Sequence, residues 1–429
     1  MRSIRCIPLV ALISLAALGA WALLAAQRAD AAWTPYVNVV KQQDVEHPMV
    51  EMDPVGDAVF MWMRGFDTPG SPAIYTRVRR ADGTLSPIQR ISSEFGGYDL
   101  AVDLDGNAYY VWTDLDSSGQ EHLRTRVRHA NGTLSPVQTL KNVGPGDFVW
   151  GTVGVSASGT AVYAWTHRQE NESDLLQTRT RSPSGALGPV HDIAHGYNLN
   201  LGVDASGNAT FAWEGANGAV GVFSRVLAAN GSLGPATKVS RPGHYGSDSQ
   251  LVVNPSGRAL FQWDEYDSDS RTDNLYVRSR SASGTFQPPQ VVAKPYAYQE
   301  VAFTRLALAP TGEAVVTWRS TDKWHARKRA PDGTLGPAKI ITPALVYDSD
   351  VAIDSHGNVV YAWTIPAPDK TRVFVRTEDA GGTLSPTRPL SLAGYNAGFA
   401  DVAMTPSGDS AVSWQEGNGG FAVQASFGP

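Results

Sequence analysis

The chain contains one cysteine, Cys6, close to its start. Beyond it there is no disulfide and no cysteine metal site, so stability must come from a packed core. Lysine and arginine never gather into a run, and the net charge is −6. That argues against a nucleic-acid partner, which needs a basic face. Only one long apolar run occurs, residues 7–26, which excludes a polytopic membrane protein. Catalytic signatures are missing too: no G-x-S-x-G, no H-E-x-x-H, no Walker loop and no G-x-G-x-x-G. The nine histidines are scattered, and nothing marks His191 or His195 as a ligand.

The start of the chain reads as an export leader. Arg2 and Arg5 precede the apolar run, and small residues follow to Ala29-Asp30-Ala31, an A-x-A-type cleavage site. Residues 1–31 are expected to be a signal peptide and residues 32–429 a single secreted domain. Retention of the leader as an anchor would instead hold the domain at the cell surface. Cys6 stands before the apolar run, which excludes a lipoprotein. The mature chain then has no membrane span.

What the chain has in abundance is repetition. A glycine precedes a tryptophan by six residues in eight places: Gly56/Trp62, Gly106/Trp112, Gly159/Trp165, Gly207/Trp213, Gly257/Trp263, Gly312/Trp318, Gly357/Trp363 and Gly408/Trp414. Successive tryptophans lie 45 to 55 residues apart, the span of four short strands. A second glycine recurs seven times, at Gly83, Gly132, Gly185, Gly231, Gly284, Gly333 and Gly382. Each has a proline four residues after it and an arginine six before it. Fixed offsets on both sides of a glycine imply a hairpin turn of fixed register. Each unit therefore reads as strand A, Gly turn, strand B, variable loop, strand C, Gly turn, strand D.

The strands alternate on both faces, and both faces are apolar. Ala108, Tyr110 and Trp112 share one side of strand B, and Tyr109 and Val111 the other. A sheet apolar on both sides must be covered on both sides, and the progression from small residue to Tyr to Trp fills a wedge. The eighth unit ends after strand C, while residues 33–39 supply a lone strand D at the other end. The expectation is an all-β, eight-bladed β-propeller with four antiparallel strands per blade. The N-terminal strand completes the last blade and closes the ring.

The D-x-x-G-N-A-x-x-x-W unit followed by R-x-R-x-x-D-G-x-L-x-P resembles repeats of secreted bacterial β-propeller-like proteins of no assigned function. The resemblance covers the whole mature chain. It brings no catalytic residue with it. The chain lacks a GH…WD pair and a kelch glycine doublet, and its Gly-to-Trp spacing is too long for a sialidase-type Asp box.

The Gly turns keep constant length, whereas the B–C and D–A loops vary; variable loops on a rigid scaffold are where binding usually lies. The D–A loops carry Tyr98, Trp150, Tyr197, Tyr245, Tyr298, Tyr347 and Tyr395, with Phe95, Phe148, Tyr296 and Phe399 beside them. Such rings either stack on a ligand or plug the gaps between blades. Asp99, Asp350 and Asp401 each stand seven residues before a turn glycine, at the start of strand A. With Glu46 they form an acidic arc near the axis or, alternatively, solvated loop charge. The acidic loop 264–269 has oxygen ligands suited to Ca²⁺ but lacks EF-hand spacing, so it reads as solvated. The seven arginines read as structural, stacking on a Trp or pairing with a turn carboxylate.

These residues point to a non-enzymatic binding or interaction module for a glycan or an extracellular polypeptide. It would be monomeric, with no cofactor and no metal. Two alternatives stand beside it: a polysaccharide hydrolase or lyase using loop carboxylates, and a structural envelope protein.

Overall fold

The computed structural model describes residues 33–41, 44–65, 73–93, 96–116, 118–144, 146–169, 173–267, 271–294, 301–366, 370–418 and 420–429. The leader, Phe95, Tyr296, Tyr298 and part of the 264–269 loop lie outside the described residues. Among those residues there is no helix, hence none long and apolar enough to cross a membrane.

All pairings are antiparallel and, except in the last sheet, join strands consecutive in the chain. Six sheets have four strands and one has seven. Unit two is representative: Tyr98–Val102, Ala108–Leu115, Glu121–Arg128 and Gln138–Asn142. The seven-stranded sheet arises because one strand of 17 residues, Leu187–Val203, pairs with unit three at its start and unit four at its end. The D–A connection read as a loop there is continuous strand. In the last sheet the fourth strand is Val37–Val40, which pairs with Phe421–Gly428.

The turns form for the reason the sequence implied. Gly106 has φ +78°, a left-handed conformation that costs a glycine little. The Asp103 carboxylate accepts the N–H of Asp105 at 3.0 Å and of Asn107 at 2.8 Å. Asp103 thus holds its own turn, as an Asx residue does.

The core lies between sheets. Val59, Met61 and Ile74 of the first sheet pack with Leu100, Tyr110 and Trp112 of the second. Tyr109 and Leu123, on the second sheet's other side, pack with Tyr163 and Trp165 of the third. Another cluster joins Ala411, Val423 and Phe427 to Val45, Phe60 and Trp62, the two ends of the chain. All eight repeat tryptophans are buried in such clusters, as the wedge argument expects.

The repeated arginines are structural, but their partners are carbonyls, not the tryptophans or turn carboxylates expected. Arg77 donates Nε to Ser86 O at 2.7 Å and Nη1 to Val39 O, also at 2.7 Å. Arg327 repeats this with Gly336 O and Val292 O. One guanidinium thereby fixes its own hairpin and ties it to the preceding sheet.

Candidate functional site

Strand A is the edge of each four-stranded sheet, so its outer N–H groups need acceptors from elsewhere. The residue seven before the turn glycine supplies several. Asp99 accepts Thr152 Oγ1 at 2.6 Å and Val153 N at 3.0 Å. Asp350 accepts Val402 N at 2.9 Å, and Asp401 accepts Val50 N at 2.6 Å. Gln250 continues the pattern by donating to Thr304 O at 2.7 Å. The three aspartates are therefore staples between neighbouring inner strands, not solvated loop charge.

The acidic arc exists, but with Glu51 as its fourth member in place of Glu46. Glu51 stands five residues before its turn glycine, where unit five has Val252 and the other six units have Ala101, Gly154, Gly202, Ala307, Ala352 and Ala403. Those six are small because inner strands approach closely there: a Cβ on Gly202 would lie 2.4 Å from Val253. Glu51 is exposed to water, but the neighbouring inner strands crowd it. Enclosure, then the charges of Asp99 and Asp350, push its carboxyl up to about 8. Asp350 and Asp401 stand close enough for each to act on the other's carboxyl. Burial, then the charge of Asp350, holds Asp401 well above the ordinary aspartate range. Burial also raises Asp350, against the pull of Arg305.

The sign of the pH dependence follows. Between 4.5 and about 8 the native Glu51 keeps a proton that the unfolded chain releases. Glu51's own contribution to stability is therefore fully present below 4.5 and is lost as pH rises through that window. Glu51→Gln is expected to melt like the parent near about pH 5 and above it near about pH 9. Parallel melting curves across that range would rule this out.

Two residues above the aspartates, strand A is bulged in five units. His47, Asn198, Asp248, Phe303 and Phe399 all have φ between +49° and +55°, each where pairing with strand B shifts register. A bulge re-aims a side chain, and left-handed backbone at a bulky residue costs about 1–3 kcal/mol. His47 meets Phe399 edge-on at 4.2 Å, and Arg319 lies 4.1 Å over Phe303.

Beside these bulges is a cavity of about 530 Å³. His47, Met49, Gly97, Tyr98, Arg305, Ser349, Phe399 and Asp401 line it, drawn from five units. The Tyr98 hydroxyl donates to His47 O, which joins the first two units at the rim.

The expected site residues divide into three groups. Tyr98 and Asp401 line the cavity, and Asp99 and Asp350 stand on the same inner strands. Trp150 adjoins it over Gly97, whose added Cβ would lie 3.2 Å from the indole. Tyr197, Tyr245, Tyr347 and Tyr395 are exposed farther round the same loop face and do not converge on the cavity. Tyr98 alone of the described rings is half-buried between units; the exposed ones are not plugs. Sequence reasoning missed His47, Arg305 and Glu51. The offset from the turn glycine that found the aspartates also lands on Arg305.

Among the described residues no group of three or more His, Asp or Glu is arranged to hold an ion. In the acidic loop, Glu265 accepts Trp263 Nε1 at 2.7 Å and Arg241 Nε at 2.6 Å, a structural role.

No family model matches the chain, and no curated protein matches it in sequence. Solved structures resemble it in fold. A polysaccharide lyase, Uly1, is 8% identical with a TM-score of 0.52 over 91% of this chain and 90% of that one. A prolyl endopeptidase structure is 10% identical with a TM-score of 0.50 over 87% and 54%. The NanB sialidase of Streptococcus pneumoniae (K499G mutant) is 10% identical with a TM-score of 0.43 over 92% and 70%. At such identities the likeness concerns the fold alone: an all-β, β-propeller-like chain of repeated four-stranded sheets.

Proposed function

We propose that this chain is an exported, monomeric, eight-bladed propeller that binds a glycan on its D–A/B–C loop face without cleaving it. Pairing of Val37–Val40 with Phe421–Gly428 supports closure of the ring. So does the cluster joining the last sheet to the first. Export rests on the leader, residues 1–31.

The observation that carries the binding reading is the placement of exposed rings. Phe148, Trp150, Tyr197, Tyr245, Phe303, Tyr347, Tyr395 and Phe399 are exposed at or just before strand A, and Tyr266 on a B–C hairpin. Of the exposed aromatics among the described residues, only Tyr36 lies elsewhere. Chance burial would scatter them over both faces. Flat amphipathic rings around a concave mouth suit a sugar's apolar face, with Arg305 and Asp401 as polar anchors.

A glycan array, followed by calorimetry on the hits, tests this. Trp150→Ala and Tyr245→Ala are expected to weaken binding about tenfold or more, with stability within about 0.5 kcal/mol of the parent. Tyr98→Ala should lose stability as well, because it removes the bond to His47 O. If both exposed rings can be removed without weakening any hit, the binding face is wrong.

A second reading, a polysaccharide hydrolase or lyase, is favoured by the Asp350–Asp401 pair and by Glu51, since perturbed carboxyls gather at catalytic sites. Against it, one oxygen of each of Asp99, Asp350 and Asp401 already accepts a backbone N–H of the neighbouring unit. Depolymerisation of an array hit, abolished in Asp401→Asn, would replace binding by cleavage.

A further inference from the structure

The repeated arginines contain one exception. Arg77, Arg179, Arg225, Arg278, Arg327 and Arg376 each donate Nη1 to a carbonyl of the preceding unit's outer strand. Arg126 keeps the bond within its own hairpin, Nε to Ser135 O at 2.6 Å. It makes no bond to the preceding sheet among the described residues. The repeat offset would give it Ile91 O. Ile91 instead lines a cavity of about 400 Å³ between the first and second sheets.

That cavity is rich in donors. Arg90, Arg124 and Arg126 line it against a single carboxylate, Asp114. Asp114 is engaged by Arg124 Nε at 3.2 Å, and Arg124 also bonds Thr139. Arg90 uses Nε and Nη2 on Ser92 O and Ser93 O, leaving Nη1 uncommitted. Trp112 lines the same space; it is 1% exposed, and its Nε1–H has no hydrogen-bond partner among the described residues. Trp263 and Trp414 satisfy that N–H with a glutamate two residues on. Trp62 and Trp363 leave it unpaired, but Arg77 and Arg376 of their units keep the bond to the preceding sheet. Only in unit two do the released arginine, the unpaired indole and the extra guanidiniums coincide. A buried donor without a partner costs about 1–3 kcal/mol, and guanidinium forks match planar or tetrahedral oxyanions.

We propose that this cavity is an anion site: a carboxylate, sulfate or phosphate group seats between Arg90 and Arg126 and accepts Trp112 Nε1–H. The site is separate from the loop-face cavity and independent of what binds there. It takes either a free oxyanion or the acidic group of a sugar.

Indole N–H resonances of the ¹⁵N-tryptophan-labelled protein test the proposal, with Trp112→Phe identifying the Trp112 signal. Sulfate, phosphate and glucuronate are titrated separately against chloride at constant ionic strength. At least one is expected to move the Trp112 N–H saturably. Arg126→Gln and Arg90→Gln should each weaken that binding about tenfold, the worth of one charge-assisted hydrogen bond. Saturation by sulfate or phosphate identifies a free oxyanion; saturation by glucuronate alone identifies a sugar acid. Arg90 is exposed, so its variant remains informative if Arg126→Gln does not fold. No saturable shift with any of the three, or a shift unchanged in both variants, overturns the proposal.

Discussion

Trp213→Ala is expected to lower the unfolding free energy by roughly 3–5 kcal/mol, the range for truncating a large buried aromatic. Trp213 is 2% exposed and stacks on Phe223 at 6.1 Å. It belongs to the cluster in which Val162, Leu176 and Ile193 of unit three meet Phe211 and Leu227 of unit four. Gly196 presses against it so closely that a Cβ would lie 2.5 Å from the ring. The cavity left by alanine would sit between two sheets joined by one continuous strand, which limits collapse. Trp150→Ala is the control: Trp150 is exposed, and its loss should change stability by less than about 0.5 kcal/mol. Denaturant unfolding of the two variants side by side is the measurement. A loss below about 1 kcal/mol at Trp213 would mean that the wedge does not hold the sheets together.

Removal of residues 33–40 is expected to destabilise the protein by roughly 5 kcal/mol or more, since three buried apolar side chains are worth about 1.5–3 kcal/mol each. Those side chains are Trp33, Val39 and Val40. The deletion also breaks Thr34 N to Phe427 O at 2.8 Å, Arg388 Nη2 to Trp33 O at 3.0 Å, and Arg77 Nη1 to Val39 O at 2.7 Å. These bonds reach the last, seventh and first units, so one segment serves three. The exposed edge of Phe421–Gly428 would invite association of the variant. Melting and light scattering of the truncated protein decide it. An unchanged midpoint would show that the terminal strand is an accessory and not a closure.

The legible parts of this fold were those that recur with fixed spacing. Turn glycines, buried tryptophans and the extra N-terminal strand all follow from counting residues, because a turn needs a particular backbone and a wedge needs a particular volume. What the pattern hid depends on register and neighbours. The bulges at His47 and Phe399 arise from the pairing of strands A and B, which no single strand encodes. The run Leu187–Val203 looks like any other D–A connection until it is seen to pair on both sides. Asp99, Asp350 and Asp401 were visible as acids at one offset, but not as staples, because their acceptor role lies across a sheet boundary. Glu51 is conspicuous only when set beside the small residues at its offset in six other units. Arg126 is more hidden still, since its sequence matches its six counterparts and only its missing bond sets it apart.

The most direct test of the binding face uses the protein's own fluorescence. Trp150, 43% exposed, is the sole exposed tryptophan among the described residues, so acrylamide should quench chiefly that indole. Trp150→Phe should abolish the quenchable fraction. A glycan that binds on the loop face is expected to protect Trp150, so that saturating ligand makes the parent resemble that variant. A glycan that binds by calorimetry while quenching stays unchanged would contradict the account.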